Sequence, residues 1–361
     1  MNGLKMNIQM LATNPLPFQC EIKNLNTTLW VLMNGKCIDG TKSSCLEEGV
    51  TMTPTENQNG VIIHVKENVS VNKPVQIVSA IQTDQPLQFR QCFKIILEKN
   101  ASLSLVHCDD SLQNEQTDIH NNVEISLAEN ARLNYYKMEN KDSNSLLTNH
   151  IKVEQKAYSQ FYSNVITFNA GKVNNCLHVN MNEPFADAQL NGLYLVDKNQ
   201  VICNEVKVKH NAPDCTSRQL YKGIADDEAC AVFNGHIIVQ EDAQRTAAYQ
   251  INKNIALTDE THIQTQPFLE IYADDVKCSH GATIGQLDEN AMFYLRSRGI
   301  CQKNARMLLM FAFANEVAHT VKIEALKERL SQMIQQRLKG ELHICSQCAL
   351  HCEQGRDINF G

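Results

Sequence analysis

Long hydrophobic runs are missing from this chain of 361 residues. No apolar stretch approaches the roughly 18 residues that a membrane-spanning helix needs. The first residues also lack the apolar segment of a signal peptide. We therefore expect a cytoplasmic protein without a membrane span, whose 14 cysteines are reduced thiols rather than disulfides. Most of these thiols, such as Cys92, Cys176 and Cys203, are expected to be small core residues of strands.

An excess of basic residues is missing as well. The formal net charge is -7 and the isoelectric point is about 6.0. This balance disfavours a general binder of nucleic acid or of membrane surfaces. The chain contains no GxxxxGK[ST] motif, which excludes a P-loop ATPase, and no GxSxG nucleophile elbow.

Short runs of alternating apolar and polar residues fill the chain from about 61 to 284. This alternation is typical of half-buried strands. The runs resemble one another and recur at a nearly constant spacing. Ala101 and Ala131 are 30 residues apart, and Ala212 and Ala243 are 31 residues apart. Such a period predicts a solenoid, a propeller or an array. Between residues 59 and 284, Asn-Gly pairs occur only at 59–60, 191–192 and 234–235, too few for a propeller. We therefore predict a mainly β fold, a parallel β-helix (β-solenoid).

The chain divides into four predicted segments, with an irregular or strand-like N-terminal cap at 1–55 and the β-helix at 56–287. A C-terminal α-helical segment is expected at 288–342, and a Cys-rich tail at 343–361. In the helical segment, Asp288 is a suitable N-cap for a helix that ends at Arg298. Further helical periodicity covers 302–320 and 323–342, as two helices or as one bent helix.

Cys278 and His280 form the first candidate site. Two residues apart in a strand, their side chains point to the same face. A thiolate and an imidazole on one face can hold a soft metal or an iron–sulfur species. From the spacing alone, a buried thiol beside a hydrogen-bonded imidazole without function is the more frequent outcome.

The tail offers the second candidate site. Cys345, Cys348, His351 and Cys352 supply enough soft ligands for one tetrahedral zinc ion. The second CxxC of a zinc ribbon is absent, so redox-labile thiols and a tail without a specific role remain alternatives.

Several sequence segments together resemble one known family. They are Arg218–Ile224, Phe233–Val239, Asp242–Thr246, Leu269–Thr283 and Phe293–Ile300. They resemble the SufB/SufD family of the SUF iron–sulfur cluster assembly system. The resemblance implies a right-handed parallel β-helix with helical ends. It also implies a SufBCD complex with a SufB-like paralogue and copies of a SufC-like ATPase, in which the chain catalyses no turnover of its own.

Within the family, the chain is more similar to the SufD branch than to the SufB branch. The stretch Leu257–His262 lacks the acceptor cysteine of SufB, and Ser279–Thr283 replaces its Glu-His-Glu-Ala-Thr word. The resemblance implies that His280 is the interface histidine of cluster assembly and Cys278 its neighbouring thiol, both shared with the partner as metal ligands. It implies a nascent iron–sulfur cluster that is transient, with no cofactor tightly bound to the isolated chain.

Tyr294, Arg296 and Arg298 form a basic helical surface just after the predicted β-helix. By the resemblance, this region docks the SufC-like ATPase, and a solvated helix surface is the alternative. Only 28 residues precede Leu29, where the match begins, so the N-terminal helical domain of the family is expected to be absent or to belong to a shorter subtype. The family also implies a possible homodimer through the β-helix.

Two other functions compete with a non-enzymatic scaffold. A β-helix polysaccharide lyase or esterase would need paired carboxylates, and the candidate pair is Asp274–Asp275. As adjacent strand residues, these two would point to opposite faces, which counts against joint acid–base work. The other alternative is a standalone metal-binding protein that uses the tail cysteines.

Overall fold

The structure is a computed structural model that describes residues 22, 25–38, 47–83, 85–111 and 116–339. This part of the chain contains nineteen strands and three helices. The first strands are β1 Thr28–Met33, β2 Lys36–Cys37, β3 Val50–Pro54, β4 Gly60–Val65, β5 Val75–Ile81, β6 Leu87–Leu97, β7 Ser102–Ser111, β8 Thr117–Leu127, β9 Arg132–Asn140 and β10 Leu146–Gln155. They are followed by β11 Gln160–Asn169, β12 Lys172–Met181, β13 Asp187–Val196, β14 Val201–His210, β15 Thr216–Ala225, β16 Cys230–Val239, β17 Ala247–Ala256, β18 His262–Ile271 and β19 Lys277–Gly285. The helices are α1 Glu289–Ser297, α2 Gln302–Ala318 and α3 Glu324–Lys339.

From β4 onward, consecutive strands alternate between two sheets. The first sheet has the order β19-β17-β15-β13-β11-β9-β7-β5-β1-β2, and the second has the order β18-β16-β14-β12-β10-β8-β6-β4-β3. Every neighbouring pair is parallel except the β1–β2 and β3–β4 pairs, which are antiparallel. The chain therefore winds as a parallel β-solenoid of about 7 turns, and the predicted mainly β fold is confirmed.

Alternation along each strand separates the core from the surface. In β12 and β14, Leu177 and Val206 are buried and stand in register with each other, so that like residues stack from coil to coil. Cys176 and Cys203 occupy the positions between buried residues and are only half-buried, as is Cys92 in β6. The expectation that these three thiols belong to the core is wrong, because the pleat turns them outward.

One residue in each coil takes a left-handed backbone conformation at the same corner. This set comprises Asn68, Asn100, Asn130, Tyr158, Phe185, Asp214 and Arg245, with φ between 56° and 63°. Asn tolerates this conformation better than most residues. The Asn100 amide donates to Asn68 Oδ1 at 2.6 Å, and the Asn130 amide donates to Asn100 Oδ1 at 2.8 Å. The corner residues Asn68, Asn100 and Asn130 thus form a hydrogen-bonded column.

The C-terminal helices follow the predicted boundaries closely. The Asp288 carboxylate accepts from the backbone N–H groups of Asn290 and Ala291 and caps α1. Residues 319–323 separate α2 from α3, so these are two helices rather than one bent helix. Both pack on the outward face of the first sheet, in a core cluster that includes Ile166 and Leu193. No described helix is long and apolar enough to cross a membrane.

Candidate functional site

The two ends of the solenoid differ. At the N-terminal end, the antiparallel strands β2 and β3 lie at the edges of the two sheets. At the C-terminal end, β18 pairs only with β16, and β19 pairs only with β17, among the described strands. The outer edges of β18 and β19 therefore offer backbone N–H and C=O groups to another chain. We call this the open end.

Cys278 and His280 lie on β19, at the open end. Their register partners on β17 are Ala248 and Gln250, which are both buried inside the solenoid. Cys278 and His280 therefore also point toward the interior, or lumen, of the solenoid. The prediction that they share one face of a strand is confirmed.

The two side chains have different surroundings. Cys278 is half-buried and packs against a small core cluster with Leu269 and Val276, whereas His280 is exposed. Burial raises the pKa of the Cys278 thiol above its usual value. The thiol is therefore protonated at neutral pH, and a metal would have to displace that proton.

The described residues contain no group of three or more His, Cys, Asp and Glu side chains arranged to hold a metal ion. His280 and Cys278 together supply two ligands, and four-coordinate iron or zinc needs two more. The arrangement is therefore suited to half of a site, and its use as a metal or cluster ligand stays a prediction. The tail candidates Cys345, Cys348, His351 and Cys352 lie outside the described residues.

Two glutamines behind His280 escaped the sequence reasoning. Gln250 stands in register with His280, and Gln219 stands in register with Gln250 one coil deeper. Gln250 is 1% exposed and Gln219 is 3% exposed. An isolated Gln in an alternating run looks like any other polar strand residue. Only the strand register shows that these two share a column with His280.

Large apolar side chains surround the open end. The exposed ones on the last coils are Tyr249, Ile251, Phe268, Ile271, Tyr272 and Ile284. Exposed apolar patches on soluble proteins mark interaction sites. The combination of bare strand edges and exposed apolar groups makes the open end the best candidate interface in the described part of the chain.

Helix α1 follows the open end and has no buried residue. Phe293 is 74% exposed and Tyr294 is 56% exposed. The Arg298 guanidinium lies 5.2 Å from the centre of the Tyr294 ring. Arg296, two positions after Tyr294, projects from a different side of the helix. The three predicted docking residues are thus all available on the surface, with Tyr294 and Arg298 paired.

A charged network, which the sequence reasoning also missed, lies deep in the lumen. Lys137 pairs with Asp109 and lies 3.2 Å from His107 Nε2. Glu139 accepts from the Asn149 amide at 2.8 Å. Burial lowers the pKa of His107 to about 3 and raises the pKa of Glu139 to about 6. These side chains are enclosed by the middle coils and do not reach the open end.

The carboxylate pair considered for a lyase is placed differently from the expectation. Asp274 and Asp275 are exposed and lie in the turn between β18 and β19. The expectation that they are adjacent strand residues is wrong, because β18 ends at Ile271. The Asp275 carbonyl accepts from the Arg245 backbone N–H at 2.6 Å, and this bond ties the turn to the preceding coil.

Comparison with known proteins places most of the solenoid in one family. Residues 79–313 match the family described as SUF system FeS cluster assembly, SufBD core domain. Iron-sulfur cluster assembly protein SufD of Escherichia coli is 37% identical over 218 residues, which are 60% of this chain and 51% of that protein. An iron-sulfur cluster assembly SufBD family protein of Synechocystis is 30% identical over 285 residues, 76% of this chain and 63% of that protein. The matched regions thus span between about half and two thirds of the length of these relatives.

Proposed function

Because this chain belongs to the SufB/SufD family of iron–sulfur cluster assembly proteins, as a SufD-like member, we propose that it is a non-enzymatic scaffold subunit. In this role it joins a SufB-like paralogue and a SufC-like ATPase in a cytoplasmic SufBCD complex. The nascent iron–sulfur cluster is the cargo of the complex and is held transiently between the two solenoid subunits.

The difference between the two solenoid ends carries the proposal. A solenoid end without a cap exposes both strand edges and core residues, and repeat proteins need their ends covered. The open end has bare strands β18 and β19, while antiparallel strands lie at the other end. A paralogue of the same fold presents strand edges of the same spacing, so it is the natural partner for this surface.

His280 and Cys278 occupy the centre of this proposed interface. A neutral imidazole nitrogen and a thiolate ligate iron, and both forms are lost on protonation. Because burial raises the pKa of Cys278, its thiol must lose a proton before it can ligate a metal. The partner supplies the remaining ligands, which explains why the described residues gather no complete metal site.

The proposed docking site for the ATPase is α1. Its exposed aromatic residues and the paired Tyr294 and Arg298 suit an interface, and Arg296 adds a second guanidinium on another side of the helix. Arginine pairs with carboxylates through two parallel hydrogen bonds, which Lys cannot reproduce. In the absence of the SufB-like partner, the open end can instead pair with a second copy of this chain.

The test is purification of the affinity-labelled chain from its native host. We expect a SufB-like and a SufC-like protein to be recovered with it in reproducible ratios. Recovery of the chain alone, or only as a homodimer under conditions where the SUF proteins are made, would overturn the proposal.

The role of His280 is tested separately by His280→Ala in a host that lacks the wild-type chain. His262→Ala is the matched control, since His262 is also exposed on the last coil but faces outward on β18. We expect His280→Ala to leave the complex intact and to lower the activity of iron–sulfur client enzymes about tenfold, the size of loss typical of impaired metal sites. Unchanged client activity would remove His280 from the mechanism.

A further inference from the structure

We propose that Gln250, supported by Gln219, is a positioning residue for the imidazole of His280. The amide oxygen of Gln250 accepts a hydrogen bond from the ring N–H that faces the lumen. This fixes the tautomer and aims the other ring nitrogen, with its lone pair, out of the open end. The inference rests on the proposed role of His280 as a ligand.

The register of the first sheet brings the three side chains into one column. Gln219 on β15, Gln250 on β17 and His280 on β19 are successive Cα partners in parallel strands. Neighbouring strands lie about 4.8 Å apart, and a Gln side chain spans that distance. All three side chains point into the lumen, and His280 is the next member of this column toward the open end.

Both glutamines bury their amides without a partner in the described part of the chain. Neither Nε2 nor Oε1 of Gln219 or Gln250 has a hydrogen bond there. Burial of an unbonded amide is unfavourable, and native proteins rarely leave one so. An acceptor oxygen beside a ligating histidine therefore points to a bond with the ring.

The opposite sheet shows how this solenoid treats other buried amides. Asn121 donates to Asn149 at 2.8 Å, and Asn149 donates to Asn175 at 2.8 Å. Each amide in that column bonds to the neighbour in the next coil. The Gln column has the same strand register, with His280 as its next member, but its amides are not bonded to one another.

Gly235 on β16 fixes the position of the Gln250 amide. A Cβ at Gly235 would lie 1.3 Å from Gln250 Nε2, so only glycine leaves room for the amide nitrogen at this depth. The Gln250 amide thus lies against β16, and its Oε1, which has no hydrogen-bond partner among the described residues, remains available to the His280 ring.

A fixed tautomer matters for a histidine that ligates metal. One ring nitrogen must carry a lone pair toward the metal, and the hydrogen bond made by the other nitrogen selects which one it is. In metal sites this second partner is an acceptor oxygen or a water, and its removal weakens metal binding or activity. Gln250 supplies such an oxygen from this chain itself.

The test is ¹⁵N NMR of ring-labelled histidine in the isolated full chain, at an alkaline pH where the imidazole is neutral. In the wild type we expect one His280 tautomer. Gln250→Leu has nearly the same volume but no acceptor and should give a mixture of tautomers. Gln250→Glu keeps an acceptor oxygen and should restore the single tautomer. Gln264→Leu, on the outward face of β18, should match the wild type.

A mixed population in the wild type, or an unchanged single tautomer in Gln250→Leu, would overturn the proposal. Circular dichroism and thermal melting first establish that each variant is folded. If Gln250→Leu does not fold, Gln250→Asn decides, because its shorter amide falls short of the ring and should also give mixed tautomers. The measurement needs no partner and no cluster, so its failure would leave the scaffold proposal standing, and failure of the scaffold proposal would leave the tautomer result intact.

Discussion

At each left-handed corner of the solenoid, the type of one residue sets the free-energy cost of the backbone conformation. Asn100 has φ 59°, and its side chain bonds to both Asn68 and Asn130. The amide therefore both tolerates the backbone conformation and links three coils. This corner explains why Asn precedes Ala101 and Ala131 in the sequence repeat.

We predict that Asn100→Ala lowers the free energy of unfolding by about 1–2 kcal/mol, because Ala pays the steric cost of the left-handed region. Asn100→Gly loses the same side-chain hydrogen bonds, but glycine adopts the left-handed conformation without steric strain. It should therefore lower the free energy of unfolding by less than Asn100→Ala does. Urea unfolding of the two variants checks this. Equal stability of the Ala and Gly variants would show that backbone conformation is not the dominant cause.

Buried titratable groups make the stability depend on pH. Burial lowers the pKa of His107 from 6.5 to about 3 and that of His210 from 6.5 to about 4. Unfolding lets both imidazoles take up protons once the pH is below 6.5, so their stabilising contribution is lost as the pH falls toward these lower values. Burial raises the pKa of Glu139 from 4.5 to about 6. Between pH 6 and pH 4.5 the folded state therefore binds this proton more tightly, and acidification in that range increases the free energy of unfolding.

Two histidines outweigh one glutamate, so we predict that the free energy of unfolding falls between about pH 6.5 and pH 4.5. Urea titrations across this range measure the slope. His210→Gln, which removes one of the two imidazoles, should make the slope clearly shallower. A stability that rises on acidification would mean that the carboxylates, not the histidines, dominate.

The site residues show where sequence reasoning works and where it stops. Strand alternation alone predicted that Cys278 and His280 share a face. It could not predict that Gln250 and Gln219 lie beneath them, since contacts between coils depend on a register of about 30 residues that loop lengths set. The expectation for Cys176 failed for a local reason, because its neighbour Leu177 occupies the inward position of the pleat.

Among the larger elements, α3 is held to the solenoid by its apolar face and by one buried arginine. Arg337 is 2% exposed, its Nε donates to the Phe168 carbonyl at 2.6 Å, and its guanidinium pairs with Asp197 at 2.9 Å. The bonds join the last turn of the helix to β11 and to the end of β13. Arg337 thus anchors the helical segment on the first sheet.

We predict that Arg337→Met lowers the free energy of unfolding by about 3–5 kcal/mol, because the buried Asp197 carboxylate loses its counter-charge. Lys339→Met is the control on the same helix turn and should change stability by less than about 0.5 kcal/mol. Urea unfolding of both variants measures the difference. Equal effects would mean that α3 is held by its apolar face alone.

The helix boundaries were predictable because they are local. Asp288 caps α1, and Gly299 takes φ 84° just after it, as residues of these types commonly do. The break between α2 and α3 carries no Gly or Pro, so the sequence left one bent helix open. Packing on the outward face of the sheet, which is a tertiary effect, separates the two.

For the molecule as a whole, the repeat period predicted the solenoid, because stacked coils impose a nearly constant residue spacing. The repeat period alone does not predict that the two ends differ in how they are closed. That difference arises from the strand pairing of β2 and β3 at one end and from the bare strands β18 and β19 at the other. It makes the open end the centre of the functional account.

The most direct test places a photo-crosslinking amino acid at the open end in the native host. Ala282→p-benzoylphenylalanine puts the probe on β19, facing the lumen, and Thr148→p-benzoylphenylalanine puts it on the outward face of β10 as the control. If the open end binds a SufB-like protein, we expect a crosslink to that protein from position 282 and none from position 148. A crosslink from position 148 alone, or none from either position in cells that assemble clusters, would contradict it.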